Sequence, residues 1–134
     1  MTDKELIALA SEARKRSYSP YSGYSVGAAL LAENGKIYTG CNIENASYTP
    51  TVCAERTAVF KAVSEGERCF VKIAIVGGKK GTPDGWAPPC GVCRQVLNEF
   101  CDPHTFQILL TDGQTESSYT LAELLPHSFG SESL

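Results

Sequence analysis

Residues 26–42 read VGAALLAENGKIYTGCN, which is an apolar segment, a turn and a second segment of similar length. The turn contains Asn34-Gly35, and this pair is typical of a tight hairpin because both residues accept the positive φ angles of a type I′ turn. The sequence therefore predicts two antiparallel strands, Val26 to Ala32 and Lys36 to Asn42, joined by such a turn.

Helix and strand patterns alternate on both sides of this hairpin. Upstream, Thr2 and Glu5 form a capping box that opens a helix ending near Arg16. Downstream, the patterns predict a helix from Cys53 to Glu65, a buried strand from Phe70 to Gly77, a helix from Gly91 to Phe100, a strand from Phe106 to Leu110, a weak strand around Ser118-Tyr119 and a helix from Thr120 to Pro126. This order predicts an α/β fold, a three-layer α/β/α sandwich with a mixed, mostly five-stranded sheet.

Length and composition indicate one globular domain that spans residues 1–134. The chain is 43% hydrophobic and 20% charged, as is ordinary for a globular protein. It is long enough to bury about two thirds of its unfolded surface around a single core. The first residues contain no apolar export signal, so we expect a cytoplasmic location and no membrane partner.

The charge pattern argues against a nucleic-acid partner. The net charge is −3, and basic residues gather only at Arg14-Lys15-Arg16 and Lys79-Lys80. We interpret these two groups as a solvated helix end and a loop. Because proteins that bind polynucleotides usually carry a basic stripe, we expect a small-molecule substrate.

Two short segments carry the chemistry: Cys53-Ala54-Glu55 and Pro89-Cys90-Gly91-Val92-Cys93. Thiolates are ligands that zinc prefers, and three protein ligands leave one position open for water or substrate, as in catalytic zinc sites. Cys53 and Cys90 each stand at the predicted start of a helix, where the partial positive charge of the helix lowers a thiol pKa. Glu55 is the candidate proton carrier beside that metal.

Cys-x-x-Cys pairs also occur in redox proteins and in structural zinc sites. A redox pair would lie beside the first strand-helix unit, whereas Cys90 and Cys93 come late in the chain. A structural site would need a second such pair, and the remaining cysteines, Cys41, Cys69 and Cys101, are isolated. We interpret those three as small buried hydrophobic residues. The spacing therefore favours a catalytic zinc.

With these residues placed, the chain resembles the small homotetrameric, zinc-dependent cytidine deaminases over nearly its whole length. The resemblance is carried by the segments Pro20-Tyr21-Ser22, Val26 to Leu31, Gly40 to Ala46, Cys53 to Ala58, Pro89 to Val96 and Glu123 to Pro126. Polynucleotide deaminases normally have His-x-Glu where this chain has Cys53-Ala54-Glu55. The resemblance therefore implies a deaminase of free nucleosides.

The resemblance implies one Zn²⁺ per chain, held by Cys53, Cys90 and Cys93. It implies that Glu55 is the proton shuttle and that Arg56 hydrogen-bonds the zinc thiolates, which withdraws some of their negative charge. The alternative for Arg56 is an ordinary surface arginine on a helix.

The resemblance also implies a nucleoside site built by two chains of a homotetramer. The residues implied from the same chain are Tyr24, Asn42, Glu44 and the main chain of Ala54, and those implied from the neighbouring subunit are Ala46, Tyr48 and Phe129. Asn42 and Glu44 would hold ribose hydroxyls, although these two residue types are also common in a turn at a strand end. Phe129 has a second interpretation, in which it folds back over its own helix.

The implied activity is hydrolytic deamination of cytidine and 2′-deoxycytidine to uridine and 2′-deoxyuridine, with release of ammonia, in pyrimidine salvage. Two alternatives stay open: an aminohydrolase that acts on another cytosine nucleoside such as blasticidin S, and a zinc-stabilised binding module without catalysis. The chain departs from the family pattern at Tyr24, where Phe is common, and at Pro88, where Ser is common.

Overall fold

Five strands form one mixed sheet in the computed structural model of this chain, which describes residues 1–134. The strands are β1 (Tyr24–Ala32), β2 (Ile37–Cys41), β3 (Phe70–Lys79), β4 (Gln107–Thr111) and β5 (Glu116–Thr120). Their order across the sheet is β2-β1-β3-β4-β5. Only the β3–β4 pair is parallel, so the predicted mixed five-stranded sheet is confirmed.

The helices are α1 (Asp3–Arg14), α2 (Ala54–Ser64), α3 (Gly91–Phe100) and α4 (Leu121–Leu124), followed by a 3₁₀ turn at Ser131–Ser133. Both predicted capping boxes form, one between Thr2 and Glu5 and one between Thr120 and Glu123. Each supplies partners for main-chain N–H groups that a helix start leaves unpaired. None of these helices has the length and apolar character needed to cross a membrane.

Alternating side chains of the central strands build a separate core on each face of the sheet. On one face, α1 packs its apolar stripe against the sheet, with Leu6, Ala10, Ala29, Ala74, Val76 and Leu109 buried together. On the other face, α2, α3 and α4 cover a larger core that includes Leu30, Ala58, Ile73, Ile75, Leu97, Ile108, Leu110 and Leu121. Because successive residues of a strand point to opposite faces, one sheet supports both cores. The three-layer sandwich is confirmed.

Two glycines let a helix approach the sheet closely, one on each face. A Cβ added to Gly27 of β1 would lie 2.0 Å from the carbonyl oxygen of Ala10 in α1. A Cβ added to Gly40 of β2 would lie 2.5 Å from the carbonyl oxygen of Ala54 and 2.6 Å from the nitrogen of Ala58, both in α2. A larger residue at Gly40 would therefore displace α2, the helix that begins beside Cys53.

The turn between β1 and β2 differs from the predicted type I′ turn. Gly35 has a φ of +91°, but Asn34 is not among the residues with positive φ. The Gly35 N–H donates to the carbonyl of Ala32 and the Ala32 N–H donates to the carbonyl of Lys36. This is a three-residue loop in which a left-handed glycine follows an ordinary turn, a common solution when one more residue lies between the strands. The prediction of two strands was correct and that of the turn type was wrong.

Arg14 is not part of a solvated helix end, as the run Arg14-Lys15-Arg16 had suggested. Its side chain is only 7% exposed and forms an ion pair of 3.1 Å with Asp84. Its guanidinium also donates to the carbonyls of Ser25, Lys79 and Thr82. Arg14 thus fastens α1 to the start of β1 and to the loop after β3, the loop that leads to Cys90.

The three remaining cysteines are less buried than predicted. Cys69 is exposed, whereas Cys41 and Cys101 are partly buried. Cys69 lies just before β3, at the edge of the core that Phe70 enters. Burial raises the pKa of the Cys101 thiol to about 12, so that thiol stays protonated and behaves as a small hydrophobic group.

Candidate active site

The chain topology brings the starts of α2 and α3 to the same edge of the sheet. Strands β2 and β3 both run antiparallel to β1, so both end at one edge. Helix α2 follows β2 in the chain and α3 follows β3. Ligand sites of α/β proteins commonly form at such an edge, beyond the carboxyl ends of parallel strands.

Three cysteine sulfur atoms converge at these two helix starts. Cys53 is the N-cap of α2, Cys90 is the N-cap of α3, and Cys93 lies in the first turn of α3. The three sulfur atoms all lie within 4.8 Å of one another, and those of Cys53 and Cys90 are 3.8 Å apart. Tetrahedral zinc with Zn–S bonds of about 2.3 Å places its sulfur ligands about 3.8 Å apart. The donor set therefore fits a zinc ion with one position left for another ligand.

The electrostatics of the cluster favour a thiolate at Cys53, which is the form that binds metal. Neither N-cap cysteine uses its side chain to cap its helix, so both sulfur atoms are free to turn towards the cluster. A hydrogen bond with Cys93 lowers the pKa of Cys53 to about 5. The same contact holds the pKa of Cys93 above its ordinary value, because one proton is shared between the two sulfur atoms.

Arg56 lies next to the sulfur cluster. Its Nη2 donates to the sulfur of Cys53 at 3.4 Å. Burial opposes the charged guanidinium, but hydrogen bonds to Cys53 and Cys93 outweigh this effect and raise the Arg56 pKa. Its Nε is buried without a hydrogen-bond partner. The guanidinium is therefore held by the sulfur atoms rather than by solvent, as expected of a group that offsets thiolate charge.

Glu55 is buried beside the same cluster. Its side chain is 4% exposed, and it stands in the first turn of α2. Burial raises the pKa of its carboxyl to about 7. A carboxyl with a pKa near neutrality can both accept and release a proton at physiological pH, as general acid-base catalysis requires.

A cavity of about 400 Å³ opens beside the cluster. It is lined by thirteen residues, and seven of the predicted site residues are among them: Tyr24, Asn42, Glu44, Cys53, Ala54, Glu55 and Cys90. A larger cavity, about 810 Å³, lies beside Arg14, Lys80 and Glu116, but it contains no cysteine and shares no residue with the first. The smaller cavity is therefore the one that brings the predicted chemistry together.

The amide of Asn42 is oriented by its surroundings. Its Oδ1 accepts from the N–H of Val26 at 2.9 Å and from the hydroxyl of Ser17. Its Nδ2 donates to the carbonyl of Tyr24 at 2.8 Å. Both acceptor sites of the amide oxygen are used, so one N–H of Nδ2 is left for a ligand.

The carboxylate of Glu44 is also held from one side. Its Oε1 accepts from the N–H groups of Tyr21 at 2.9 Å and Ser22 at 3.1 Å, and its Oε2 accepts from the hydroxyl of Ser22. These bonds, chiefly that from the Ser22 hydroxyl, lower the Glu44 pKa. An ionised carboxylate accepts about four hydrogen bonds, so one acceptor site on Oε2 is left for a ligand.

Comparisons with known proteins show which family the chain belongs to. A model of the cytidine and deoxycytidylate deaminase zinc-binding region matches residues 1–108. A cytidine deaminase from Sporosarcina psychrophila is 50% identical over 136 aligned residues, which cover 100% of this chain and 96% of that protein. One from Halalkalibacterium halodurans is 47% identical, with coverage of 100% and 98%.

A solved structure matches equally well. The crystal structure of cytidine deaminase from Burkholderia pseudomallei superposes with a TM-score of 0.87 at 45% identity, covering 96% of this chain and 100% of that one. The chain belongs to the cytidine and deoxycytidylate deaminase family. Its cofactor is zinc, for which the matched region is named.

The resemblance implied that Tyr24 replaces a phenylalanine of the family pattern. Tyr24 is 38% exposed, and its hydroxyl donates to the carbonyl of Trp86 at 3.4 Å. A tyrosine hydroxyl needs a partner when it is buried, and here a loop carbonyl supplies one at the cavity rim. The ring still lines the cavity, so the substitution leaves the wall intact.

Ala46, Tyr48 and Phe129 do not line the cavity of their own deaminase chain. Tyr48 is 73% exposed, Phe129 is 59% exposed, and Ala46 is exposed. Tyr48 makes an edge-to-face contact with Tyr21 at a centroid distance of 6.2 Å. The main-chain carbonyl of Phe129 accepts from the side-chain amides of Gln95 and Asn98, so the chain is anchored on α3 while the aromatic ring faces outward.

Sequence reasoning did not single out five lining residues, Ser22, Val26, Thr51, Val52 and Ala87, and it noted Pro88 only as a departure from the family pattern. Ser22 and Val26 stand inside the segments that carry the family resemblance, which is the only available sequence signal for them. Thr51 and Val52 precede Cys53, and Ala87 and Pro88 precede Cys90. Each pair lines the cavity because it lies just before a candidate zinc ligand in the chain.

Proposed function

We propose that this chain catalyses the zinc-dependent hydrolytic deamination of cytidine and 2′-deoxycytidine to uridine and 2′-deoxyuridine, with release of ammonia. One observation carries the proposal: three cysteine sulfur atoms within 4.8 Å of one another border a cavity that also contains the buried Glu55. Relatives that match 100% of the chain at 50% and 47% identity are named cytidine deaminases, which supports the same substrate.

Cys53, Cys90 and Cys93 would hold the metal, because they are the one group of potential ligands that converges. Zinc bound there acts as a Lewis acid that makes water a better nucleophile near neutral pH. Arg56 would keep the charge of the three thiolates from weakening this effect, since its guanidinium donates to Cys53.

Glu55 would move two protons during the reaction. It accepts a proton from the water whose oxygen adds to C4 of the cytosine ring, and it delivers that proton to N3. It then takes the proton of the new C4 hydroxyl to the amino group, which leaves as ammonia while a C4 carbonyl forms. Both transfers need a carboxyl that changes its protonation state easily, and the burial of Glu55, which raises its pKa, supports this role.

The cavity wall would orient the base. The main chain of Ala54, in the first turn of α2, would bind the pyrimidine, since the first N–H groups of a helix have no partner within that helix. The ring of Tyr24 would pack against the nucleoside from β1. Together these contacts would place C4 on the side of the cysteine cluster.

Asn42 and Glu44 would recognise the 3′-hydroxyl of the sugar. One free N–H on Asn42 and one free acceptor site on Glu44 complement a single hydroxyl, which both accepts and donates. These two groups leave no donor or acceptor for a second hydroxyl. This accounting supports both cytidine and 2′-deoxycytidine as substrates.

The charges around the cavity support a nucleoside rather than a nucleotide. None of the thirteen lining residues is Lys or Arg. Glu44 stays ionised at neutral pH, because its hydrogen bonds, chiefly to Ser22, lower its pKa. A phosphate on the sugar would lie near this carboxylate and near no cationic side chain, whereas phosphate sites usually contain Arg or Lys.

We also propose that a homotetramer completes the site in the cytoplasm, where the product would enter pyrimidine salvage. Exposed Tyr48 and Phe129 side chains, together with Ala46, support a contact with the nucleoside of a neighbouring subunit. Large aromatic side chains are enriched where two protein surfaces meet.

The two alternatives account for less of the site. A binding module without catalysis would have no need for a buried carboxyl with a pKa near 7 beside the metal ligands. An enzyme for another cytosine nucleoside would have no need for the matched Asn42 and Glu44 pair.

Ammonia release from cytidine tests the proposal directly. Purified protein with one zinc per chain should convert cytidine to uridine and release one ammonia per uridine. Cytidine 5′-monophosphate should be a much poorer substrate. Zinc-replete protein that releases no ammonia from cytidine would refute the proposed activity, and equal use of the nucleotide would refute the argument from charge.

A further inference from the structure

One serine hydroxyl joins two of the candidate substrate-binding residues. The Oγ of Ser22 donates to Oε2 of Glu44 and accepts from the N–H of Tyr24 at 3.0 Å. The N–H of Ser22 also donates to Oε1 of Glu44 at 3.1 Å. Ser22 itself lines the cavity. A single residue therefore contacts both carboxylate oxygens and the main chain of the residue that forms the aromatic wall.

The two oxygens of Glu44 are not held equally. Oε1 accepts from two main-chain N–H groups, those of Tyr21 and Ser22. Oε2 accepts from the Ser22 hydroxyl alone. Oε2 is also the oxygen with a free acceptor site. Without the hydroxyl, Oε1 would keep its two main-chain hydrogen bonds, but the carboxylate could rotate about them. Oε2 would then no longer point in one direction.

We propose that Ser22 is a positioning residue that aims Oε2 of Glu44 at the 3′-hydroxyl of the sugar. Ser22 thereby determines how strongly the enzyme prefers nucleosides that carry this hydroxyl. The inference rests on the proposed function, because it assumes that Glu44 binds the sugar.

Two substrates separate this role from a general effect on the fold. We would measure kcat/KM for cytidine and for 3′-deoxycytidine with the native protein and with Ser22→Ala. Losing a hydrogen bond to a charged group should reduce kcat/KM for cytidine by about tenfold or more. The value for 3′-deoxycytidine should stay unchanged, because that substrate has no hydroxyl for Oε2 to accept from. Zinc content and melting temperature should match those of the native protein.

Three further variants complete the test. Ser22→Thr keeps a hydroxyl and should restore most of the preference for cytidine. Ser118→Ala removes an exposed serine hydroxyl on β5, away from the cavity, and should leave kcat/KM unchanged for both substrates. Glu44→Gln weakens the acceptor itself. It should lower the ratio of kcat/KM for cytidine to kcat/KM for 3′-deoxycytidine at least as much as Ser22→Ala does.

The outcomes distinguish the inference from the function on which it rests. An equal loss for both substrates in Ser22→Ala, or no loss for cytidine, would overturn the positioning role. If Glu44→Gln narrows the preference and Ser22→Ala does not, the sugar contact stands and only the role of Ser22 fails. If Glu44→Gln leaves the preference unchanged, the proposed sugar contact fails, and the role of Ser22 fails with it.

Discussion

The side-chain amide of Gln95 donates a hydrogen bond of 2.8 Å to the main-chain carbonyl of Phe129. Asn98 donates to the same carbonyl at 3.2 Å. The segment after α4 is thus anchored on α3, although the ring of Phe129 is 59% exposed. A fixed main chain with an exposed aromatic ring suits a contact with another molecule, since little conformational entropy is lost when the ring is covered.

We expect Phe129→Ala to weaken substrate binding without affecting the metal. Losing a stacking contact with a base should cost about 1–3 kcal/mol, which corresponds to a KM higher by about five- to 150-fold. Steady-state kinetics would measure KM, and metal analysis would measure zinc. Leu134→Ala removes an exposed apolar side chain from the same segment and is the control. Native activity per chain in a monomer isolated by sedimentation would contradict the shared site.

We expect Cys90→Ala to lose zinc, because the two thiolates that remain cannot hold the ion as three do. Metal analysis after dialysis should find about one zinc per native chain and little in the variant. Cys69→Ala is the matched control, since Cys69 is exposed and lies outside the converging cluster. Full zinc occupancy in Cys90→Ala would show that the ligand set is different.

Glu55→Gln should keep zinc and the fold but lose most of the turnover. The amide has nearly the same shape as the carboxyl, but it cannot carry a proton. General acid-base catalysis is usually worth about 10²–10⁴ in rate, and the loss should reach or exceed this range because one group serves two transfers. A kcat close to the native value in a zinc-replete variant would exclude Glu55 as the proton carrier.

Glu55 should also make the stability of the zinc-free protein depend on pH. Burial raises its pKa from 4.5 to about 7, so between these values the folded state keeps a proton that the unfolded chain has released. The free energy of unfolding should therefore fall as the pH rises through this window. Glu55→Gln should gain stability relative to the native chain by about 2–3 kcal/mol between pH 4.5 and 8. Urea unfolding at several pH values measures this difference, and parallel profiles would contradict it.

Arg14→Met should destabilise the protein by about 3 kcal/mol, because Asp84, one buried carbonyl and two partly buried carbonyls lose their donor. Lys15→Met is the control on the next residue. Lys15 pairs with Glu12 at 3.0 Å on the exposed face of α1, so its loss should cost under about 1 kcal/mol. Urea unfolding of both variants measures the difference, and equal losses would show that the Arg14 contacts contribute little.

Patterns of neighbouring residues predicted the helices and strands whose ends are set by nearby residues. The start of α3 was predicted to the residue, because two prolines exclude a helix before Cys90 and an apolar stripe follows it. Cys90 and Cys93 were predicted to face one metal for a similar reason, since they share one helical turn, whereas Cys53 was added because three thiols with a nearby Glu are typical of a catalytic zinc site. The turn at Asn34-Gly35 was assigned wrongly because the same pair suits both a two-residue and a three-residue loop, and the strand register selects between them.

Contacts between distant parts of the chain were beyond this reasoning. Arg14 looked like a member of a basic surface run, yet its partners Lys79, Thr82 and Asp84 lie 65 to 70 positions away in the chain. The hydroxyl of Ser22 finds Glu44, 22 positions later, only because β2 returns beside β1. Such partners depend on how the elements pack, which no local pattern records.

Helix α3 carries Cys90 and Cys93 at its start and holds the Phe129 carbonyl through Gln95 and Asn98 on its side. In the proposed assembly, a mutation that unfolds one copy of this helix would disable the metal centre of its own chain. It would also displace the Phe129 ring that contacts the nucleoside in a neighbouring chain. Co-expression of a defective copy with an intact one would then remove more activity than the fraction of defective chains. Mutations in α3 would behave as dominant-negative alleles, whereas Glu55→Gln would silence only its own site.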